Sequence, residues 1–164
     1  MRLSGITLDS MVDGPGLRIV LFAQGCHHQC PYCQNPETWD CNSGEEYSVK
    51  QVIRKIKKNC KNKRGITFSG GEPFLQAEEL AEIAYTAHQM NLDIVTYTGF
   101  TYEQLLINTD SSIQDLLKKS DILIDGKYMH ELRNIGLRFR GSSNQRVIDI
   151  AASAINERVM LWCA

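Results

Sequence analysis

The sequence predicts an α/β fold, an incomplete parallel β/α barrel of about five βα units. Short apolar runs typical of buried strands alternate with segments whose apolar residues repeat at helical spacing. Strands that alternate with helices form parallel sheets joined by right-handed crossovers. The chain has 164 residues, whereas a complete eight-fold barrel takes roughly 250. We therefore expect one domain over residues 1–164, with one side of the barrel left open.

The first elements are an entry segment and a buried strand. Residues 1–16 end in a turn cluster that includes Asp13 and Gly14, and the apolar, β-branched run 17–23 suits a buried strand. The loop 25–36 follows this strand directly and carries three cysteines. Because barrel and open-sheet proteins place their chemistry at the carboxyl ends of strands, this loop is a candidate site.

The remaining elements continue the alternation. Ser48 and Thr101 have the character of helix N-caps, and each is followed by helical periodicity. Two more helices are predicted over about 76–90 and 151–159. The predicted strands after the cysteine loop cover residues 65–68, 92–97, 120–125 and 146–150.

Composition narrows the classes of function. The net charge is −1, which gives no general electrostatic case for a nucleic acid or an anionic membrane as partner. The beginning of the sequence lacks the apolar run of a signal peptide, and no later run is long enough to span a bilayer. Six cysteines without a secretory signal indicate metal or redox chemistry in a reducing compartment. We expect a cytoplasmic protein with no nucleic-acid and no membrane partner.

The cysteine loop contains Cys26, Cys30 and Cys33 at C-x3-C-x2-C spacing. A four-iron cluster normally takes one thiolate for each iron, so three cysteines leave one iron open. An open metal position can bind and activate a small molecule. The loop therefore favours an iron–sulfur cluster. A zinc knuckle or a disulfide pair remains an alternative, since His27 and His28 are available as further zinc ligands.

Other polar groups follow the later strands. Gly70-Gly71-Glu72, Tyr97-Thr98-Gly99 and Asp125-Gly126-Lys127 each stand at the predicted carboxyl end of a strand. Carboxyl ends of parallel strands meet at one edge of a sheet, so these segments should converge on the cysteine loop. Paired glycines allow a ligand to approach the backbone, and Glu72 could accept a hydrogen bond from a cationic amino group.

Together these motifs resemble the radical S-adenosylmethionine superfamily, and most closely the activating enzymes of glycyl radical enzymes. The matching elements occur in order along nearly the whole chain: Asp13 to Arg18, Cys26 to Cys33, Asn35-Pro36, Gly70 to Pro73, and Asp125-x-Lys127. The compact length and the segment Arg140 to Arg146 resemble the activating proteins of anaerobic ribonucleoside-triphosphate reductases.

The resemblance assigns roles to individual residues. Cys26, Cys30 and Cys33 would ligate a 4Fe–4S cluster, whose fourth iron would chelate the amino and carboxylate groups of S-adenosylmethionine. The contacts it implies with this cofactor involve Tyr32, Cys33, Gln34, Gly70, Gly71, Glu72, Asp125 and Lys127. The candidates for a surface facing the partner protein are Asp13, Gly14, Arg140 and Arg146.

The resemblance also implies a reaction. One electron from the reduced cluster would cleave S-adenosylmethionine to methionine and a 5′-deoxyadenosyl radical, which would remove a hydrogen atom from a glycine of the reductase. Reduced flavodoxin or ferredoxin would supply the electron. Two alternatives remain: a radical enzyme acting on a small molecule, as in deazapurine biosynthesis, and a metal-binding module without enzymatic activity.

Overall fold

Seven strands form one mixed sheet in the computed structural model, which describes residues 1–163. Across the sheet the strand order is β3-β1-β2-β4-β5-β6-β7. The strands β2, β4, β5 and β6 are parallel neighbours, whereas β1, β3 and β7 pair antiparallel. The strands are β1 (Arg2–Ser10), β2 (Arg18–Ala23), β3 (Glu45–Glu46), β4 (Gly65–Gly70), β5 (Asp93–Tyr97), β6 (Ile122–Asp125) and β7 (Arg146–Asp149).

The sheet differs from the expected five parallel units at both ends. The strand β7 lies where the sequence predicts the last strand, but it runs antiparallel to β6. Asp125, the last residue of β6, pairs with Arg146, the first residue of β7. Residues 126–145 therefore begin and end at the same edge of the sheet, and β7 must run in the direction opposite to β6. The predicted entry segment contains β1, a nine-residue strand that pairs with β2. Its alternation is hard to recognise because it carries serine, glycine and threonine and is half exposed.

The helices follow the sequence closely. Ser48 and Thr101 both form capping boxes. Each cap side chain accepts a hydrogen bond from the N–H of the third helical residue, and the glutamine side chain at that position accepts one from the backbone N–H of the cap residue. The region after Thr101 forms two short helices in place of one segment. The helices are α1 (Val49–Asn59), α2 (Ala77–His88), α3 (Tyr102–Leu106), α4 (Ser111–Lys119) and α5 (Ile150–Asn156). Within residues 1–163, none of them combines the length and apolar character needed to cross a bilayer.

The two faces of the sheet bury different partners. Alternate strand residues, such as Phe68 and Ile94, join the main core that the helices cover. Residues on the other face, such as Val95 and Ile124, form a smaller cluster with Phe139 from the segment after β6. This second face lies beneath the segments that come together around the candidate site.

A buried arginine fixes the turn before β2. The Arg18 side chain is fully buried and donates to Thr67 Oγ1 at 2.8 Å and to the Pro15 carbonyl at 3.0 Å. It also pairs with Asp93, with 2.6 Å between the nitrogen and the carboxylate oxygen. Burial lowers the pKa of the Arg18 guanidinium, and the Asp93 charge opposes that shift. Thr67 Oγ1 in turn donates to the Asp13 carbonyl at 2.7 Å, so this network holds the Asp13 turn against the sheet.

Candidate active site

The carboxyl ends of the parallel strands surround a cavity of about 420 Å³. Its walls come from the cysteine loop, the segments that follow β4, β5 and β6, the Asp13 turn and residues 137–145. The convergence that the sequence predicts at this edge of the sheet is therefore present. The predicted site residues that line the cavity are Cys26, Cys30, Cys33, Gln34, Gly70, Gly71, Lys127, Asp13 and Arg140.

Backbone N–H groups of the cysteine loop and of the segment after β6 lie near the three sulfurs. The Asn35 N–H donates to Cys33 Sγ at 3.4 Å, and backbone N–H groups of His28 and Tyr128 face the sulfurs of Cys26 and Cys30. Burial raises the pKa of the Cys26 and Cys30 thiols, and these N–H groups act in the opposite direction. All described cysteines are free thiols, so no disulfide pair forms among them.

The donor set suits a cluster better than a single zinc ion. Within residues 1–163, no three His, Cys, Asp or Glu side chains are grouped so as to hold one metal ion. A 4Fe–4S cluster does not require this, because each thiolate binds a different iron. His27 points to Cys41, with 3.6 Å between Nε2 and Sγ, and His28 points to Glu72. The cysteines and their sulfur-directed N–H groups therefore fit a cluster held by three thiolates.

The Gly70-Gly71-Glu72 turn is bonded to the start of the cysteine loop. The Gly71 N–H donates to the Ala23 carbonyl and the Glu72 N–H to the Gly25 carbonyl, both at 2.8 Å. A Cβ on Gly71 would lie 2.3 Å from the Gly25 oxygen, and Gly70 adopts a φ of +92°. The two glycines are thus required by backbone packing in addition to any ligand.

The Glu72 side chain is buried and does not line the cavity. Its carboxylate accepts hydrogen bonds from Phe74 N–H at 3.0 Å, Gly99 N–H at 2.8 Å and Thr98 Oγ1 at 3.0 Å. It also lies 2.8 Å from His28 Nε2. A carboxylate has about four acceptor positions, and here protein groups use them. The Glu72 side chain therefore joins loops of the site, and its contact with a ligand amino group stays a prediction.

Asp125 is likewise turned away from the cavity. It accepts from Arg146 Nε at 3.0 Å and from the Tyr102 N–H at 2.8 Å. The Arg146 guanidinium also binds both oxygens of Glu103, at 2.9 and 2.8 Å. These carboxylates raise the pKa of Arg146, and the hydrogen bonds from Arg146 lower the pKa of Glu103 to about 2. Arg146 is therefore part of an ion-pair network, and its role towards a partner stays a prediction.

The other predicted residues lie around the mouth. Tyr32 is 74% exposed and its ring centroid lies 4.3 Å from that of His130, so it packs on His130 outside the cavity. Lys127 is exposed at the cavity wall. Arg140 lines the cavity, and its buried Nε has no hydrogen-bond partner. Gly14 adopts a φ of +132° and packs on the Arg18 side chain, away from the cavity lining.

The sequence did not assign the anchoring contacts of His28 and Gln145. His28 lies between Cys26 and Cys30, so a role at the site could be anticipated, but the spacing does not show which way the ring points. Gln145 holds the segment after β6, because its oxygen accepts from the Gly141 N–H at 2.9 Å and its amide donates to the Gly126 carbonyl at 3.0 Å. Its place in the Arg140 to Arg146 motif was the only sequence signal.

Comparison with known proteins agrees with this geometry. Residues 12–148 match the family model described as the 4Fe-4S single cluster domain. The chain is 37% identical over 143 residues to the anaerobic ribonucleoside-triphosphate reductase-activating protein of Vibrio cholerae, covering 82% of this chain and 89% of that protein. The chain belongs to the glycyl-radical-enzyme activating branch of the radical SAM superfamily.

Two further relatives show the breadth of this branch. The reductase-activating protein of Escherichia coli K12 is 34% identical over 145 residues, which cover 84% of this chain and 91% of that protein. The pyruvate formate-lyase-activating enzyme of Clostridium pasteurianum is 32% identical over 155 residues, covering 84% of this chain and 65% of that enzyme. The family is one of activating enzymes, so this chain is an oxidoreductase-type enzyme with an iron–sulfur cluster.

Proposed function

We propose that this protein activates an anaerobic ribonucleoside-triphosphate reductase by generating a glycyl radical on it. The observation that carries the proposal is the cavity at the strand ends, in which three free cysteines lie beside Gly70-Gly71 and Lys127. The likeness to reductase-activating proteins over most of both chains supports this choice of target.

Cys26, Cys30 and Cys33 would hold the cluster, and the neighbouring cavity would hold S-adenosylmethionine. When both are bound, they supply a one-electron reductive cleavage that produces a carbon radical able to take a hydrogen atom. Lys127 brings a positive charge to the cavity wall, where it can pair with a ligand carboxylate. The backbone at Gly70-Gly71 and the side chain of Gln34 offer polar groups on the same wall.

The rest of the chain would position and enclose these groups. Glu72 joins the loops after β4 and β5, and Gln145 fixes the segment that covers the sheet. Tyr97 Oη donates to the Phe139 carbonyl at 2.6 Å, which closes the cavity on that side and limits the access of water. Asp13 and Arg140 at the wall are the groups that we assign to the entry of the reductase segment.

Several features belong to the same proposal. The sheet would act as an incomplete barrel within one domain, open at the side where the reductase enters. Reduced flavodoxin or ferredoxin would donate the electron, and the free cysteines favour a cytoplasmic location. Nucleic acid and membrane are not expected as partners, since the net charge is −1.

The test is an anaerobic reaction of the reconstituted protein with dithionite, S-adenosylmethionine and the reductase, frozen for electron paramagnetic resonance. We expect a glycyl doublet on the reductase, which disappears in Cys30→Ala and persists in Cys41→Ala, an exposed cysteine outside the cavity. Formation of 5′-deoxyadenosine without a glycyl signal would contradict this partner and favour a small-molecule substrate. An intact cluster that yields neither product would indicate a binding module.

A further inference from the structure

The His28 ring is buried in a loop whose neighbouring residues are exposed. Its side chain is 10% exposed, whereas His27 and Gln29 are exposed. The Nε2 atom lies 2.8 Å from Glu72 Oε2, and the ring meets Phe100 edge to face at a centroid distance of 4.6 Å. The ring thus links the cysteine loop to Glu72 after β4 and to Phe100 after β5.

Gly99 provides the space for the ring. A Cβ on Gly99 would lie 2.3 Å from His28 Cδ2, and the backbone of Gly99 does not have the positive φ that would itself require glycine. The Gly99 N–H donates to the same Glu72 oxygen that the ring contacts, at 2.8 Å. His28 and Gly99 therefore pack against each other while they share one acceptor.

His28 stands two residues from Cys26 and two from Cys30. Its backbone N–H lies near the Cys26 sulfur, as does that of Gln29, so an anchored His28 side chain restrains this part of the loop. Hydrogen bonds to the sulfurs are among the factors that set the reduction potential of iron–sulfur clusters. The position of the ring can therefore influence both the placement of the thiolates and the redox behaviour of the cluster.

We propose that His28 is a positioning residue, whose contact with Glu72 fixes the Cys26–Cys30 loop for cluster binding. This inference rests on the proposed function, because the cluster is the group that is positioned. A histidine that binds a metal also commonly donates its other ring N–H to a carboxylate. Direct ligation by His28 is therefore the competing result that the experiment must separate.

The experiment compares His28→Ala and His28→Gln with the matched control His27→Ala in the full chain. The readouts are iron and sulfide content, resistance of the cluster to a chelator, and its midpoint potential. Partners of metal ligands typically contribute 10–100-fold in metal affinity, so we expect His28→Ala to lose the cluster to chelator roughly 10-fold more readily. The amide of His28→Gln can still donate to Glu72 and should restore most of the resistance, and His27→Ala should match the parent.

A double-mutant cycle with Gly99→Ala tests the packing in the cluster-free protein. Gly99→Ala should lower the unfolding midpoint in the parent, where the new methyl group meets the ring, and should have much less effect in His28→Ala. Additive effects of the two substitutions would contradict the contact, whatever the state of the cluster.

The results separate the two proposals. A parent protein that builds no cluster would overturn the proposed function, and this inference with it. A parent that builds one, with His28→Ala equal to His27→Ala in chelator resistance and potential, would overturn the inference alone. Hyperfine coupling to the nitrogens of isotope-labelled histidine, lost in His28→Ala, would show ligation and would also overturn it.

Discussion

Glu72 and Asp125 are both buried carboxylates that follow parallel strands, and both are 1% exposed. They differ in what holds them. Glu72 accepts from backbone N–H groups, a hydroxyl and a histidine, which come from separate loops of the site. Asp125 is held mainly by the guanidinium of Arg146. An acidic residue at a strand end can therefore either connect several loops of a site or close an ion pair with an arginine beside it.

Removing the Glu72 carboxylate should have the largest effect. Glu72→Ala leaves the buried N–H group of Phe74, the partly buried N–H group of Gly99 and the buried Thr98 hydroxyl without their acceptor. Each unsatisfied buried group costs about 1–3 kcal/mol, so we expect the free energy of unfolding to fall by about 3 kcal/mol or more. Urea unfolding of the cluster-free protein measures this loss, and reconstitution should give little cluster. A urea midpoint equal to that of the parent would contradict the assembling role.

Asp125→Asn should destabilise the protein less and spare the cluster. The Arg146 side chain is 32% exposed and keeps its bonds to Glu103, so the change leaves a partly solvated charge with one partner. We expect a loss of about 1–3 kcal/mol, below the 3–5 kcal/mol typical of a fully buried pair. Urea unfolding and iron content check both expectations. If Asp125→Asn loses the cluster as completely as Glu72→Ala, the contrast between the two carboxylates is wrong.

The smallest effect concerns Glu103 at the outer end of the ion-pair network. Hydrogen bonds from Arg146 lower the pKa of Glu103 to about 2. Its ionised form is favoured by folding, so this stability is present above the ordinary glutamate pKa near 4.3 and is lost as the pH falls towards 2. The side chain is 56% exposed, and solvent screening limits the contribution to under about 1 kcal/mol.

Thermal unfolding of the cluster-free protein between pH 6 and 3, a range that spans the ordinary glutamate pKa of about 4.3, checks this prediction. Glu103→Gln should be slightly less stable than the parent at pH 6, and the difference should shrink as the pH falls. Glu82→Gln is a suitable control, because Glu82 is exposed on α2 and lies outside the network. A difference that grows on acidification would reverse the sign and contradict the assignment.

Features that depend on neighbouring residues could be predicted from the sequence. The cysteine spacing, the N-caps Ser48 and Thr101 and the four parallel strands each have a local signal. The convergence of the strand ends follows from the parallel topology, so most of the cavity wall could also be anticipated.

Features that depend on contacts between distant parts of the chain could not be predicted from the sequence. The direction of β7 depends on the return of residues 126–145, which carry no strong periodicity. The partners of Glu72 come from the loop after β5 and from the ring of His28. The spacing of residues along the sequence does not determine the orientation of these side chains. Arg146 shows the same limit of sequence reasoning. Its place in the sequence motif predicts a charge that faces a partner, but the motif does not show that Asp125 and Glu103 bind the guanidinium.

The position of Tyr128 beside Cys30 has a consequence for biosynthesis. Its backbone N–H faces the Cys30 sulfur, yet it leaves the ribosome 98 residues later, since 128 − 30 = 98. At bacterial and eukaryotic synthesis rates this interval is roughly 5–20 s. During that time the nascent thiols lack the covering segment that encloses them in the folded chain. The thiols therefore reach their enclosed environment only after residue 128 has been synthesised, and before that point they are more open to oxidation.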